Sequence, residues 1–156
     1  MSARPRWKAA MYTLDANIFI RDLDTREPDH AACHELIEQL VAREIPIIVP
    51  LIVLAEVAGT VSRTRRDPIA GRIAAAALRD IPCIRFLPLD EALAQDATEV
   101  AADYALRGAD AIYVAVARRT GSALVSLDRE QRTRAASVVT VMTPQEKIQY
   151  RSWYTG

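Results

Sequence analysis

Five short apolar runs recur along this chain, and stretches with apolar residues at helical spacing lie between them. The runs are 11–15, 45–49, 83–87, 123–127 and 138–142. Strands that alternate with helices in this way join into a parallel sheet, because a parallel pair needs a long crossover and a helix supplies it. The crossovers are right-handed, which places the helices on both faces. The chain is therefore expected to be α/β with three layers, helix–sheet–helix. If the first three strands step outward and the last two return beside the first, the order is 3-2-1-4-5. The first and fourth strands then flank the switch point, and ligands bind outside the carboxyl ends of strands at such a point.

The intervening stretches carry start and stop signals. Expected helices cover 17–23, 29–44, 51–63, 67–80, 91–106, 109–119 and 129–135. Glu27-Pro28-Asp29 opens the second, with Leu36, Ile37, Leu40 and Val41 on one face. Pro50 suits the start of the third, and Arg63, Arg65 and Arg66 suit its end. Asp67-Pro68 opens the fourth and Asp90 caps the fifth. Gly108 breaks the fifth, Gly121 ends the sixth, and Thr143-Pro144 stops the last strand.

At 156 residues and 51% hydrophobic composition, the chain suits one domain, 1–156, with a core at about 11–142. Arg4, Pro5, Arg6 and Lys8 form a short basic leader, and Tyr150, Trp153 and Tyr154 form a tail expected to pack on the body. Net charge is +0, so any attraction for nucleic acid must come from a local basic patch. All but two of the 20 basic residues are arginine, the side chain suited to bidentate phosphate contacts. No apolar run reaches the ~18 residues of a membrane span. Cys33 and Cys83 are not paired in a C-x-x-C motif and read as reduced thiols, which points to the cytoplasm.

Four acids stand out against this apolar background. Asp15 ends the first run. Glu56 is the lone charge in Leu-Ile-Val-Leu-Ala-Glu-Val-Ala-Gly. Asp110 opens Ala-Asp-Ala-Ile-Tyr-Val-Ala-Val-Ala, and Asp128 follows Ala-Leu-Val-Ser-Leu. Each has an ordinary reading: a turn at Asp15 or Asp128, a helix cap at Asp110, a solvated face at Glu56. Together they suit a single site at the carboxyl edge of the sheet. Clustered carboxylates repel one another unless cations compensate, and hard oxygen-seeking Mg²⁺ or Mn²⁺ are the natural compensators. Two such ions about 3.5–4 Å apart activate water and stabilise the leaving oxygen of a phosphodiester.

Other constellations are weaker. His30 and His34, four apart with Cys33 between them, have a spacing that suits zinc, but there is no H-E-x-x-H and no third ligand. Leu14-Asp15-Ala16-Asn17 is similar to the start of haloacid dehalogenase phosphatases, but Asn17 stands where they need a second Asp. No glycine-rich phosphate loop is present.

Four segments together resemble the PIN-domain family and, within it, the VapC-like bacterial toxins. They are Leu14-Asp15-Ala16-Asn17, Leu54-Ala55-Glu56-Val57, the 106–115 stretch around Gly108-Ala109-Asp110-Ala111, and Leu124-Val125-Ser126-Leu127-Asp128. They fall in the family's order and span 11 to about 142. The resemblance implies a PIN fold and a metal-dependent endoribonuclease, in which Asp15, Glu56, Asp110 and Asp128 bind Mg²⁺ or Mn²⁺. Asn17 and Ser126 match supporting polar positions. The family's common Thr after the first Asp is Ala16 here, and Thr13 shares the Asp15 side of the strand. Arg21, Arg107 or Arg129 would hold the RNA backbone. The resemblance also implies a small antitoxin whose carboxyl-terminal segment fills the groove, and a homodimer. The 51–58 stretch with Arg63, Arg65 and Arg66 would help bind that segment. The alternative is a non-catalytic PIN-like module that binds RNA or protein.

Overall fold

The structure, a computed structural model, describes residues 10–149. The basic leader and the aromatic tail lie outside these residues. Five parallel strands form one sheet in the order β3-β2-β1-β4-β5, the order expected if the first three strands step outward and the last two return beside the first. They are β1 (Tyr12–Leu14), β2 (Ile47–Pro50), β3 (Ile84–Leu87), β4 (Ala123–Val125) and β5 (Val141–Met142). Tyr12 aligns with Ile47 on one side and Ala123 on the other, which makes β1 the central strand. All three β1 residues are buried, as are those of β2 and β4. A strand covered on both faces has no polar side to alternate, hence the continuous apolar runs.

The helices are α1 (Ala16–Asp22), α2 (His30–Ala42), α3 (Val53–Arg65), α4 (Pro68–Arg79), α5 (Glu91–Tyr104), α6 (Gly108–Thr120), α7 (Arg129–Ala135) and α8 (Pro144–Gln149). Asp67 caps α4 by accepting from the amides of Ile69 and Ala70, with Pro68 at the first helical position. Asp90 caps α5 through Leu93. Gly121 ends α6 at φ 68°. The core joins Leu14, Ile18, Phe19, Leu36, Leu40, Val57, Tyr113 and Leu124, all essentially inaccessible. None of the described helices is long and apolar enough to cross a membrane.

Several boundaries differ from the sequence expectations. Pro50 closes β2 rather than opening a helix: it aligns with Leu87, and the Leu51 amide bonds the Leu87 carbonyl at 2.8 Å. The fifth helix ends at Tyr104, before Gly108. Ala105 turns left-handed at φ 53°, and the buried Leu106 sends its amide back to Ala101. Gly108 is thus the first residue of α6. The last strand starts late because the amides of Val138 and Val139 both bond Ala135, closing α7. Helix α8, unexpected from the sequence, starts where the Thr143 hydroxyl accepts from the Glu146 amide at 3.1 Å. Thr143-Pro144-Gln145-Glu146 is the residue pattern of a capping box and was the available signal.

Candidate active site

The four acids reach one edge of the sheet from four elements. Asp15 follows β1, and its amide bonds the Val125 carbonyl of β4 at 3.0 Å. It sits at the amino end of α1 with extended backbone. Glu56 lies in the first turn of α3, and Asp110 in the first turn of α6. Asp128 begins α7, two residues past the buried Ser126. The switch point of the sheet, between β1 and β4, therefore carries Asp15 on one side and Asp128 on the other.

Their electrostatics show mutual repulsion. Asp15 is only 6% exposed. Burial, then the charges of Asp110 and Glu56, push its carboxyl up to about 7, against a smaller opposite pull from the amides of Ala16 and Asn17. That pull stops short of a side-chain cap bond of ordinary geometry. Burial and the Asp128 charge raise the Asp110 carboxyl as well, and Arg107 partly offsets them. Among the described residues, no Arg or Lys forms an ion pair with any of the four acids.

Hydrogen bonds hold three of the acids in place. The Tyr113 hydroxyl, on α6, donates to Glu56 Oε1 at 2.7 Å, and Tyr113 is fully buried. Asp128 Oδ1 accepts from the Gln131 amide at 3.1 Å, and the Asp128 amide donates to Ser126 Oγ at 3.0 Å. Asp128 thus does cap a helix. Gln131 is buried, and its Nε2 donates to the Asp110 carbonyl at 3.4 Å. The ordinary reading of Asp110 as a helix cap is not met, because Arg107 holds that position. Tyr113 and Gln131 carried no role in the sequence reading. Tyr113 is three residues after Asp110, hence on the same side of the helix, and Gln131 stands at the capping distance from Asp128.

Asn17 is exposed, and no side-chain hydrogen bond ties it to the acids among the described residues; it lines a neighbouring pocket instead. Arg107 and Arg129 are exposed near the acids, whereas Arg21 is paired with Glu27. His30 and His34 stack, with ring centroids 5.6 Å apart, and His34 Nδ1 bonds Asp22 Oδ1 at 2.7 Å.

The family model that matches this sequence is that of the PIN domain, over residues 12–136. The chain belongs to the PIN-domain family. No curated protein matches it. Solved structures share its fold at low identity. The Mycobacterium tuberculosis VapC20 structure, described as a Sarcin-Ricin loop cleaving toxin, has a TM-score of 0.64 and 22% identity, covering 83% of this chain and 96% of its own. FitAcB from Neisseria gonorrhoeae has a TM-score of 0.66 and 20% identity, covering 86% and 99%. VapBC2 from Rickettsia felis, bound to a DNA fragment from their promoter, has a TM-score of 0.63 and 16% identity, covering 85% and 98%.

The acids of this PIN domain fit a divalent cation by their chemistry. Asp15 is a buried carboxylate repelled by two others, and cations relieve that repulsion. As they stand, no three His, Cys, Asp or Glu side chains among the described residues converge closely enough to hold an ion. The same holds for His30, Cys33 and His34, so the zinc spacing does not assemble a site.

Proposed function

We propose that this PIN domain is a metal-dependent endoribonuclease and the toxin of a toxin–antitoxin pair. The observation that carries the reading is Asp15: buried, uncompensated by any basic partner, and facing Asp110 and Glu56 at the switch point. Asp15, Asp110 and Asp128 would hold Mg²⁺ or Mn²⁺, with Glu56 as a direct or water-bridged ligand. Such an ion supplies charge neutralisation for the phosphodiester and a water of lowered pKa. Tyr113 keeps Glu56 in one position. Ser126 and the Gln131 amide fix the backbone and one carboxylate oxygen of Asp128. Arg107 and Arg129 stand exposed where they attract an RNA backbone without reading its sequence.

The RNA part of the reading draws support from VapC20, whose description is that of a Sarcin-Ricin loop cleaving toxin. The antitoxin part draws support from the VapBC2 complex. In this chain Leu51, Arg63, Arg65 and Arg66 are exposed and suited to an antitoxin segment, whereas Val53 and Val57 are committed to the core. Pull-down with the product of an adjacent small reading frame tests the pairing, and sedimentation tests the homodimer.

The central test compares cleavage of structured RNAs with Mg²⁺ or Mn²⁺, with EDTA, and by Asp15→Asn and Asp110→Asn. Each substitution is expected to cost more than the roughly 10–100-fold that loss of a ligand's supporting hydrogen bond costs. Cleavage that survives EDTA or both substitutions overturns the reading.

A further inference from the structure

A pocket of about 620 Å³ opens beside the acids, between α1 and α3. That size lies within the roughly 300–1,000 Å³ of small-ligand sites. Thr60, one helical turn after Glu56, lines it, as does Asn17 of α1. The pocket therefore adjoins Glu56 along α3.

The lining suits a nucleotide. Two acids face the pocket, and both are already paired. Arg21 bonds Glu27, and Arg26 holds Asp24 through Nε at 2.9 Å and Nη2 at 3.0 Å. Arg65 also lines the pocket; it forms no ion pair among the described residues, although its charge acts on Asp24. Its Nη2 donates a long hydrogen bond to the Leu23 carbonyl at 3.5 Å. The lining thus keeps one arginine charge in excess. The Asn17 amide is exposed and uses neither its donor nor its acceptor capacity on another described side chain. An amide with both capacities open matches a base edge, and a guanidinium outside any ion pair matches a phosphate.

We propose that this pocket holds the nucleotide flanking the scissile phosphate of a single-stranded RNA, with Asn17 against its base edge and Arg65 against its phosphate. The proposal rests on the ribonuclease reading and names where its substrate is recognised. A peptide segment is the competing occupant. Arginine-paired acids and one surplus cation beside a phosphodiester site favour the RNA.

The test uses a pool of short single-stranded RNAs of randomised sequence, cut by the full chain in Mn²⁺, with the cut ends sequenced. Wild type is expected to show a base preference at one position next to the cut, and Asn17→Ala to flatten that position alone. Arg65→Ala is expected to raise KM about tenfold at every sequence while kcat holds. It should also reduce the slope of log KM against log salt by about 0.7, the value for one phosphate contact on a single strand. Arg65→Lys, which keeps the charge, should restore the slope. A wild-type cut pattern in Asn17→Ala together with a wild-type slope in Arg65→Ala overturns the proposal while leaving the ribonuclease reading intact. So does an Arg65→Ala protein that loses only its hold on the antitoxin. Wild-type protein that cuts no RNA in Mn²⁺ removes the ribonuclease reading and this proposal together.

Discussion

Asp15 concentrates the energetics of the site at one residue. Its folded-state pKa of about 7 stands above the ordinary 3.8. Between those values the folded protein holds a proton that the unfolded chain releases. Metal-free stability therefore falls as pH rises from about 4 to about 7 and levels off above. At 1.36 kcal/mol per unit, the span is of order 4 kcal/mol. Asp15→Asn removes this dependence, so the metal-free variant should be the more stable protein at pH 8, although it is expected to be inactive. Thermal melts across pH in EDTA check this, and parallel slopes for the two proteins contradict it. Asp110 shifts in the same direction and leaves a residual slope. Tyr113→Phe removes only the hydroxyl that donates to Glu56. It should cost about 1 kcal/mol of stability and about tenfold in Mn²⁺ affinity, the latter read by calorimetric titration.

At the scale of elements, the α3–α4 hairpin and the α6–α7 pair present the acids. Gly71 of α4 lies so close to α3 that an added Cβ would stand 2.5 Å from the Ala58 carbonyl oxygen and 3.1 Å from the Ser62 Cβ. Gly71→Ala should therefore destabilise by about 1–3 kcal/mol despite the better helix propensity of alanine. Urea unfolding measures it, and a stabilised variant would show that the helices separate freely. The chain turns out of β4 through a relay. Ser126 still donates its amide to the Met142 carbonyl across to β5, then its hydroxyl receives the Asp128 amide, while its carbonyl takes Arg132 Nη1 at 2.9 Å. That relay is why β4 is shorter than its apolar run and why Asp128 faces the edge.

For the whole molecule, the sheet order brings acids from four separate elements to one edge. An ion bound only by the folded state stabilises it by mass action, about 2.7 kcal/mol at a hundred times Kd. For a domain of this size that is a melting shift of roughly 5–10 °C. Wild type should show this shift in Mn²⁺, EDTA should reverse it, and Asp110→Asn should lack it. A melting point indifferent to Mn²⁺ would favour the non-catalytic module. The arginine-rich composition with no net charge is consistent with a local contact surface at Arg107, Arg129 and Arg65 rather than a global field.

The strand–helix alternation determined the fold class without the tertiary structure, because buried parallel strands write themselves as unbroken apolar runs; the strand order needed the added assumption that the last two strands return beside the first. Asp15 and Asp128 were legible as strand-end acids for the same reason: a charge at the end of an apolar run is conspicuous. Local signals also placed the Asp67 and Asp90 caps, which act within three residues. The partners of the acids were not legible in this way. Tyr113 meets Glu56 across 57 positions of sequence, and Gln131 meets Asp110 across 21. Such pairings depend on how the sheet places α6 relative to α3 and α7, and no local pattern encodes them. Boundaries failed where backbone bonds overrode residue preference, at Pro50, Ala105 and Val138. Asn17 shows the division most clearly. The family resemblance implied support for the acids. Only the packing of α1 on α3 turned its side chain into the adjoining pocket.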